Sequence, residues 1–78
     1  MRLEILTPEK TLFDNEVLSV QVPGKSGGFE MLNNHMPIVS SLKKGIIKIT
    51  QTDKTKHEVE IISGVIEMKN NKIIILAE

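Results

Sequence analysis

A chain of 78 residues makes one small domain, and a domain of this size buries only about 60% of its unfolded surface, so it depends on a well-packed core or on a partner. The absence of cysteine excludes a disulfide framework and a thiolate metal site. Ten basic residues balance ten acidic ones, Phe13 and Phe29 are the only aromatics, and no run of about 18 apolar residues exists; dedicated nucleic-acid binding and a helical membrane span both lack their signatures.

Eleven isoleucines recur with a period of two, the mark of half-buried strands. Arg2-Leu3-Glu4-Ile5 alternates directly after Met1, with no apolar leader-like segment between. Thr7-Pro8-Glu9-Lys10 is a turn, since proline forces the residue before it into extended geometry. Leu18, Val20 and Val22 are expected to point one way, with Ser19 and Gln21 pointing the other. The stretch Gly24–Pro37 then packs glycines, asparagines, a histidine and a proline between two strand-like segments. Asn34–Leu42 is the one place where a helix could be considered, and Pro37 inside it argues for extended chain. Ile47 and Ile49 flank Lys48 in a strand near Gly45–Gln51. Thr52–Thr55 closes a hairpin into a strand near Lys56–Ser63, where Val59 and Ile61 alternate with Glu58 and Glu60. Asn70-Asn71 supplies positive φ angles for a tight hairpin into Lys72–Ala77. Ile73-Ile74-Ile75-Leu76 does not alternate, so both faces of that strand need cover from a second sheet or another subunit. Short strands with closely spaced turns predict an all-β sandwich or barrel spanning residues 1–78.

The chemistry-bearing residues do not assemble into an active-site pattern. His35 as a general base needs a nucleophile in reach and a group to orient it. Asp14, Ser26, Ser40 and Ser41 are available, yet nothing in their spacing places them beside His35. His35 and His57 are the only histidines, with no carboxylates at ligand spacing around them. Gly24-Lys25-Ser26-Gly27-Gly28 has the residues of a phosphate loop in the wrong order, and a strand-like Phe29-Glu30-Met31-Leu32 follows where a helix N-terminus is required. The glycines read better as a tight reversal between strands. Lys43, Lys44, Lys54 and Lys56 read as solvated surface and edge protection. What remains is an interface: a loop of small residues and a C-terminal strand apolar on both faces.

The motifs Thr7-Pro8-Glu9 with Phe13-Asp14, Val22-Pro23-Gly24 with Gly27 and Phe29, His35-x-Pro37, Leu42-Lys43-x-Gly45, Ser63-Gly64 with Glu67, and the terminal Ile75-Leu76-Ala77-Glu78 follow one another in order. Taken as an ordered set, they resemble the N-terminal β-sandwich of the F-type ATP synthase epsilon subunit over nearly the whole chain. The resemblance implies a small flattened sandwich of about ten short strands. It implies no catalysis, no cofactor and no metal, and a place in the central rotor stalk. There the domain would bind the gamma subunit and the c-ring and couple ion flow to ATP synthesis. It would sit at the cytoplasmic face of a bacterial inner membrane, touching the membrane only through the c-ring. Carried over residue by residue, Gly27, Gly28, Phe29, Glu30, Asn33 and Asn34 would face the c-ring, and Thr7, His35, Pro37 and Ile46 would face gamma.

Three departures stand against the family pattern. Gly28 stands where some members carry an acidic residue, and Asn33-Asn34 replaces the commoner Pro-Gly or Pro-Asn. Ser63-Gly64-Val65 replaces Ser-Gly-Gly. The chain also stops where the family's C-terminal helical hairpin begins, so the inhibition of ATP hydrolysis associated with that hairpin is not expected of this form. The start at Met1 and the untagged end favour a naturally short chain. The alternative to the rotor reading is a free-standing β-sandwich adaptor; a hydrolase using His35 is a third.

Overall fold

The computed structural model describes every residue from Met1 to Glu78. Eight strands follow in order: β1 (Arg2–Leu6), β2 (Thr11–Val22), β3 (Phe29–Leu32), β4 (Ile38–Leu42), β5 (Gly45–Gln51), β6 (Lys56–Ile61), β7 (Gly64–Lys69) and β8 (Lys72–Ala77). There is no helix, and the Asn34–Leu42 region is extended as expected. Eight strands are roughly consistent with the expected small sandwich of about ten, and β2 runs unbroken for 12 residues and serves two layers. Its first half, Thr11–Glu16, pairs with β1, and its second half pairs with β3 on one side and β5 on the other. The hydrogen-bonded order is β4-β7-β8-β1-β2-β5-β6, with β3 added to β2. The sheet thus curls into two facing layers. Only β1 and β8 run parallel.

The curl is closed by backbone bonds at its open corners. Gly24 bridges to Leu42. Lys25 N–H donates to Ser41 O at 3.0 Å and Lys43 N–H to Pro23 O at 2.9 Å. Elsewhere Ile62 N–H donates to Glu78 O and Glu78 N–H to Ser63 O. These bonds satisfy groups that would otherwise be stranded where the layers meet.

Between the layers lies one apolar core. Leu3 and Ile5 come from β1, Val17, Val20 and Val22 from β2, Ile47 and Ile49 from β5, and Ile73, Ile75 and Ala77 from β8. No polar or charged side chain is buried, so hydrophobic burial is the main stabilising term and there is no buried polar network to satisfy. The expected alternation holds in β1 and β5 and fails at one point in β2. Leu18 does not share a face with Val20 and Val22. A bulge between Val17 and Ser19 inserts one residue, and this shifts the inward parity. Val17 takes the core position at 1% exposure and Leu18 is left 43% exposed.

The turns follow their local chemistry. Asn70 and Asn71 adopt φ angles of 52° and 59°, matching a two-residue type I′ hairpin. Thr7 N–H donates to Lys10 O at 2.9 Å across the first turn. In the Thr52–Thr55 turn the Asp53 carboxylate accepts the Thr55 hydroxyl at 2.6 Å and the Thr55 N–H at 3.0 Å. The hydroxyl first, and then the backbone donor, hold the Asp53 carboxyl below its usual value. A depressed carboxylate stabilises the fold above its unfolded pKa, and the effect is lost as pH falls through the folded one. The gap in thermal midpoint between the unmodified chain and Asp53→Asn is therefore expected to stay constant at neutral pH and to close below about pH 4. A gap that widened on acidification would show that the turn is held some other way.

Candidate partner-binding site

The outer face of the β4-β7-β8-β1 layer carries exposed apolar side chains, Val39, Val65 and Leu76. Register places Leu6 beside Leu76, Leu76 beside Val65, and Val65 beside Ser41. The row behind it runs Glu4, Ile74, Glu67, Val39. Leu76 is 57% exposed and Val65 43%. The cover expected for both faces of Ile73–Leu76 is thus half supplied. The opposite layer buries Ile73 and Ile75, Ile74 is half-buried, and Leu76 meets solvent. Leu6, Val65 and Leu76 floor a groove of about 660 Å³, with Thr7 and Pro8 on one side and Lys25 and Ser41 on the other. Ion pairs from Lys72 to Glu4 at 2.9 Å and from Arg2 to Asp14 at 2.6 Å lie along the same layer.

The Gly24–Pro37 stretch contributes two further clusters at opposite ends of β3. At the first end, Gly27 N–H donates to Gly24 O at 3.0 Å and closes the reversal read from the sequence. Gly27 has φ of 134°, a conformation that side chains rarely adopt, and open space around it. Gly24 is the crowded one, buried against the Gly27 carbonyl and the Phe29 ring. Gly28, Phe29 and Glu30 share a shallow groove of about 340 Å³ with Pro23, Ile46 and Lys48. At the other end lie Asn33, Asn34, His35 and Pro37, with Glu30, Met31 and Leu32 between Phe29 and Asn33, a span of about 13 Å.

The structure therefore regroups the residues singled out in the sequence. Ile46, matched to the gamma-facing set, stands with Gly28, Phe29 and Glu30 of the c-ring-facing set. Asn33 and Asn34 of the c-ring set stand instead with His35 and Pro37. Thr7 lies apart from both, on the rim of the Leu6–Leu76 groove.

His35 has no catalytic geometry. Its Nδ1 lies 2.8 Å from Met36 O and its backbone N–H donates to Leu32 O. Asp14 is held by Arg2, and the Ser40 hydroxyl reaches only Ser41 O. The second histidine, His57, packs its ring against Phe13 with centroids 5.5 Å apart. No group of three histidine, aspartate or glutamate side chains is placed to hold a metal ion. Sequence reasoning also missed Asn71 beyond its turn role. Its side chain reaches across to Asn33 and Asn34, more than thirty residues away in the chain.

Comparison with known proteins agrees with this architecture. The family described as ATP synthase, Delta/Epsilon chain, beta-sandwich domain, matches residues 1–78. An ATP synthase epsilon chain of Chlorobium limicola is 38% identical over 99% of this chain and 88% of its own length. That of Sulfurimonas denitrificans is 40% identical, and this chain spans 60% of it. Among solved structures, a chain of the Euglena gracilis mitochondrial ATP synthase, in an assembly of OSCP, F1 and c-ring, superposes with a TM-score of 0.90. It does so at 18% identity, over 96% of this chain and 48% of its own. A chain of the Tetrahymena thermophila mitochondrial ATP synthase central stalk and c-ring superposes with a TM-score of 0.80 at 17% identity, over 99% of this chain and 62% of its own. The match over every residue, on the fold just described, places this chain in the ATP synthase delta/epsilon β-sandwich family.

Proposed function

We propose that this chain is a rotor-stalk subunit of an ATP synthase, binding gamma and the c-ring and coupling ion translocation to ATP synthesis. Its relatives are epsilon chains, which are not themselves catalytic. The observation that carries the reading is apolar surface the fold does not need. The core is complete without polar intrusion, yet Leu76, Val65, Ile46 and Val39 stay in water. Leu76 and Val65 pair directly across the sheet and form one exposed apolar patch, the kind of surface that marks a protein interface, and Ile46 lies in a separate groove. In this reading Gly27, Gly28, Phe29, Glu30, Asn33 and Asn34 serve the c-ring, and Thr7, His35, Pro37 and Ile46 serve gamma. Each end of β3 holds residues of both sets, so the two partners meet along a shared seam rather than on opposite faces. No helix is long and apolar enough to cross a membrane, and attachment at the cytoplasmic face of a bacterial inner membrane runs through the c-ring.

The test is size-exclusion co-elution with the gamma subunit of the same organism. A one-to-one complex is expected, with a stability gain of about 2.7 kcal/mol at a hundredfold excess over Kd. Ile46→Glu and Leu76→Glu each place a charge on exposed apolar surface. At least one is expected to weaken the complex about tenfold or more while the thermal midpoint barely moves. Failure of well-folded partners to associate would favour a free-standing adaptor.

A further inference from the structure

The β3–β4 loop, Asn33–Pro37, has little of its own to hold it. Met36 is 76% exposed, Pro37 is exposed, and Asn34 sits at φ of 63°. Within the loop, the backbone bond from His35 N–H to Leu32 O and the contact of the His35 ring with Met36 O are its only hydrogen bonds. The remaining ties come from outside. The Asn71 side chain donates through Nδ2 to Asn33 Oδ1 at 2.8 Å and accepts the Asn34 N–H on its own Oδ1 at 2.8 Å. The Asn71 backbone carbonyl meanwhile accepts Arg2 N–H at 3.2 Å. Met1 N reaches the same Asn33 Oδ1, but at 3.4 Å.

One amide thus spans two strand connections, using its donor and its acceptor on adjacent residues of the loop. Such a side chain can set the loop's angle to the sheet without adding to the core. Its neighbour Asn70 shares the positive φ and makes no side-chain hydrogen bond of this kind.

We propose that Asn71 is a positioning residue: its side chain clasps the Asn33 side chain and the Asn34 backbone N–H and holds the His35 loop in the conformation that meets a protein partner. The proposal rests on the reading of this loop as part of the gamma and c-ring seam.

The turn itself supplies the control. Asn71→Gly keeps the backbone carbonyl for Arg2 and suits a type I′ turn at least as well as asparagine, so the hairpin is retained while the clasp is removed. Asn70→Gly changes the same turn and leaves the clasp intact. Amide hydrogen exchange of the free chain and affinity for the organism's own gamma subunit are measured for all three proteins. In Asn71→Gly the Asn34 amide is expected to exchange about tenfold faster, and gamma binding to weaken severalfold. The thermal midpoint should hold or rise, and Asn70→Gly should match the unmodified chain. Unchanged exchange at Asn34 would overturn the clasp. Faster exchange with undiminished gamma binding would overturn its positioning role. Failure of the unmodified chain to bind gamma would instead count against the rotor reading, and the exchange comparison would still decide the clasp.

Discussion

Ile75→Ala is expected to remove a large share of the stability of this domain. Ile75 lies in β8 between Ile5 of β1 and Ile66 of β7, each directly across the sheet from it. All three have no exposed surface, so the truncation opens a cavity inside the core. Such a change costs about 2–5 kcal/mol. Total stability for a domain of this length is about 4–12 kcal/mol. With each kcal/mol worth about 4–8 °C in a domain this small, the thermal midpoint should fall by at least about 8 °C. Ile74→Ala, one residue earlier, is the internal comparison, because Ile74 is only half-buried and faces the opposite side. Its loss should be less than half as large. Circular dichroism melts of the two variants decide the matter: equal effects would mean that the outer face of β8 is already covered, and the exposed row at Leu76 and Val65 would lose its meaning as an interface.

The contrast between Ile75 and Ile74 also shows how far residues alone could be read. An unbroken apolar run announces that both faces of a strand want cover. It does not say which face the fold itself covers, because that depends on where the second layer lands. The turns were more legible, since positive φ at Asn70 and Asn71 is a local preference that survives any tertiary context. Leu18 was misread for the opposite reason. A bulge is set by how β2 passes from one layer to the other, and nothing at Val17-Leu18-Ser19 signals it. Alternation extended through the bulge puts the wrong residue in the core. The candidate site divides in the same way. The Gly24–Pro37 stretch stood out by composition, but its separation into two clusters follows from β3 running through its middle. The tie from Asn71 to Asn33 and Asn34 links residues close only in space, and a side-chain amide in a turn already accounts for itself locally.

The second large effect is expected at Gly24, where an added methyl group must displace something. A Cβ there would stand 2.4 Å from Gly27 O and 2.7 and 2.9 Å from two carbons of the Phe29 ring. Gly24 has no positive φ, so alanine meets no backbone penalty and the cost is steric. The Gly27 carbonyl belongs to the peptide that leads into Gly28 and β3, so moving it disturbs the entry to that strand. The Phe29 ring cannot retreat freely either, since it packs against the core. Overpacking of this kind costs about 1–3 kcal/mol, and a midpoint loss of about 4–24 °C follows. Gly27→Ala makes the complementary case. Its surroundings are open, and its cost comes from the backbone at φ of 134°. The two variants are separated by adding Phe29→Ala. Removing the ring should recover part of the Gly24→Ala loss and none of the Gly27→Ala loss, a non-additivity confined to residues in contact. The functional consequence follows from position. Displacing Phe29 also displaces Gly28 and Glu30, the end of β3 that shares its groove with Ile46. Gly24→Ala should therefore weaken assembly with the c-ring and gamma by more than its stability loss requires. If the variant assembles normally at a temperature where it stays folded, the seam does not run through this end of β3, and the Asn33–Pro37 end with the Leu6–Leu76 groove must carry the partners.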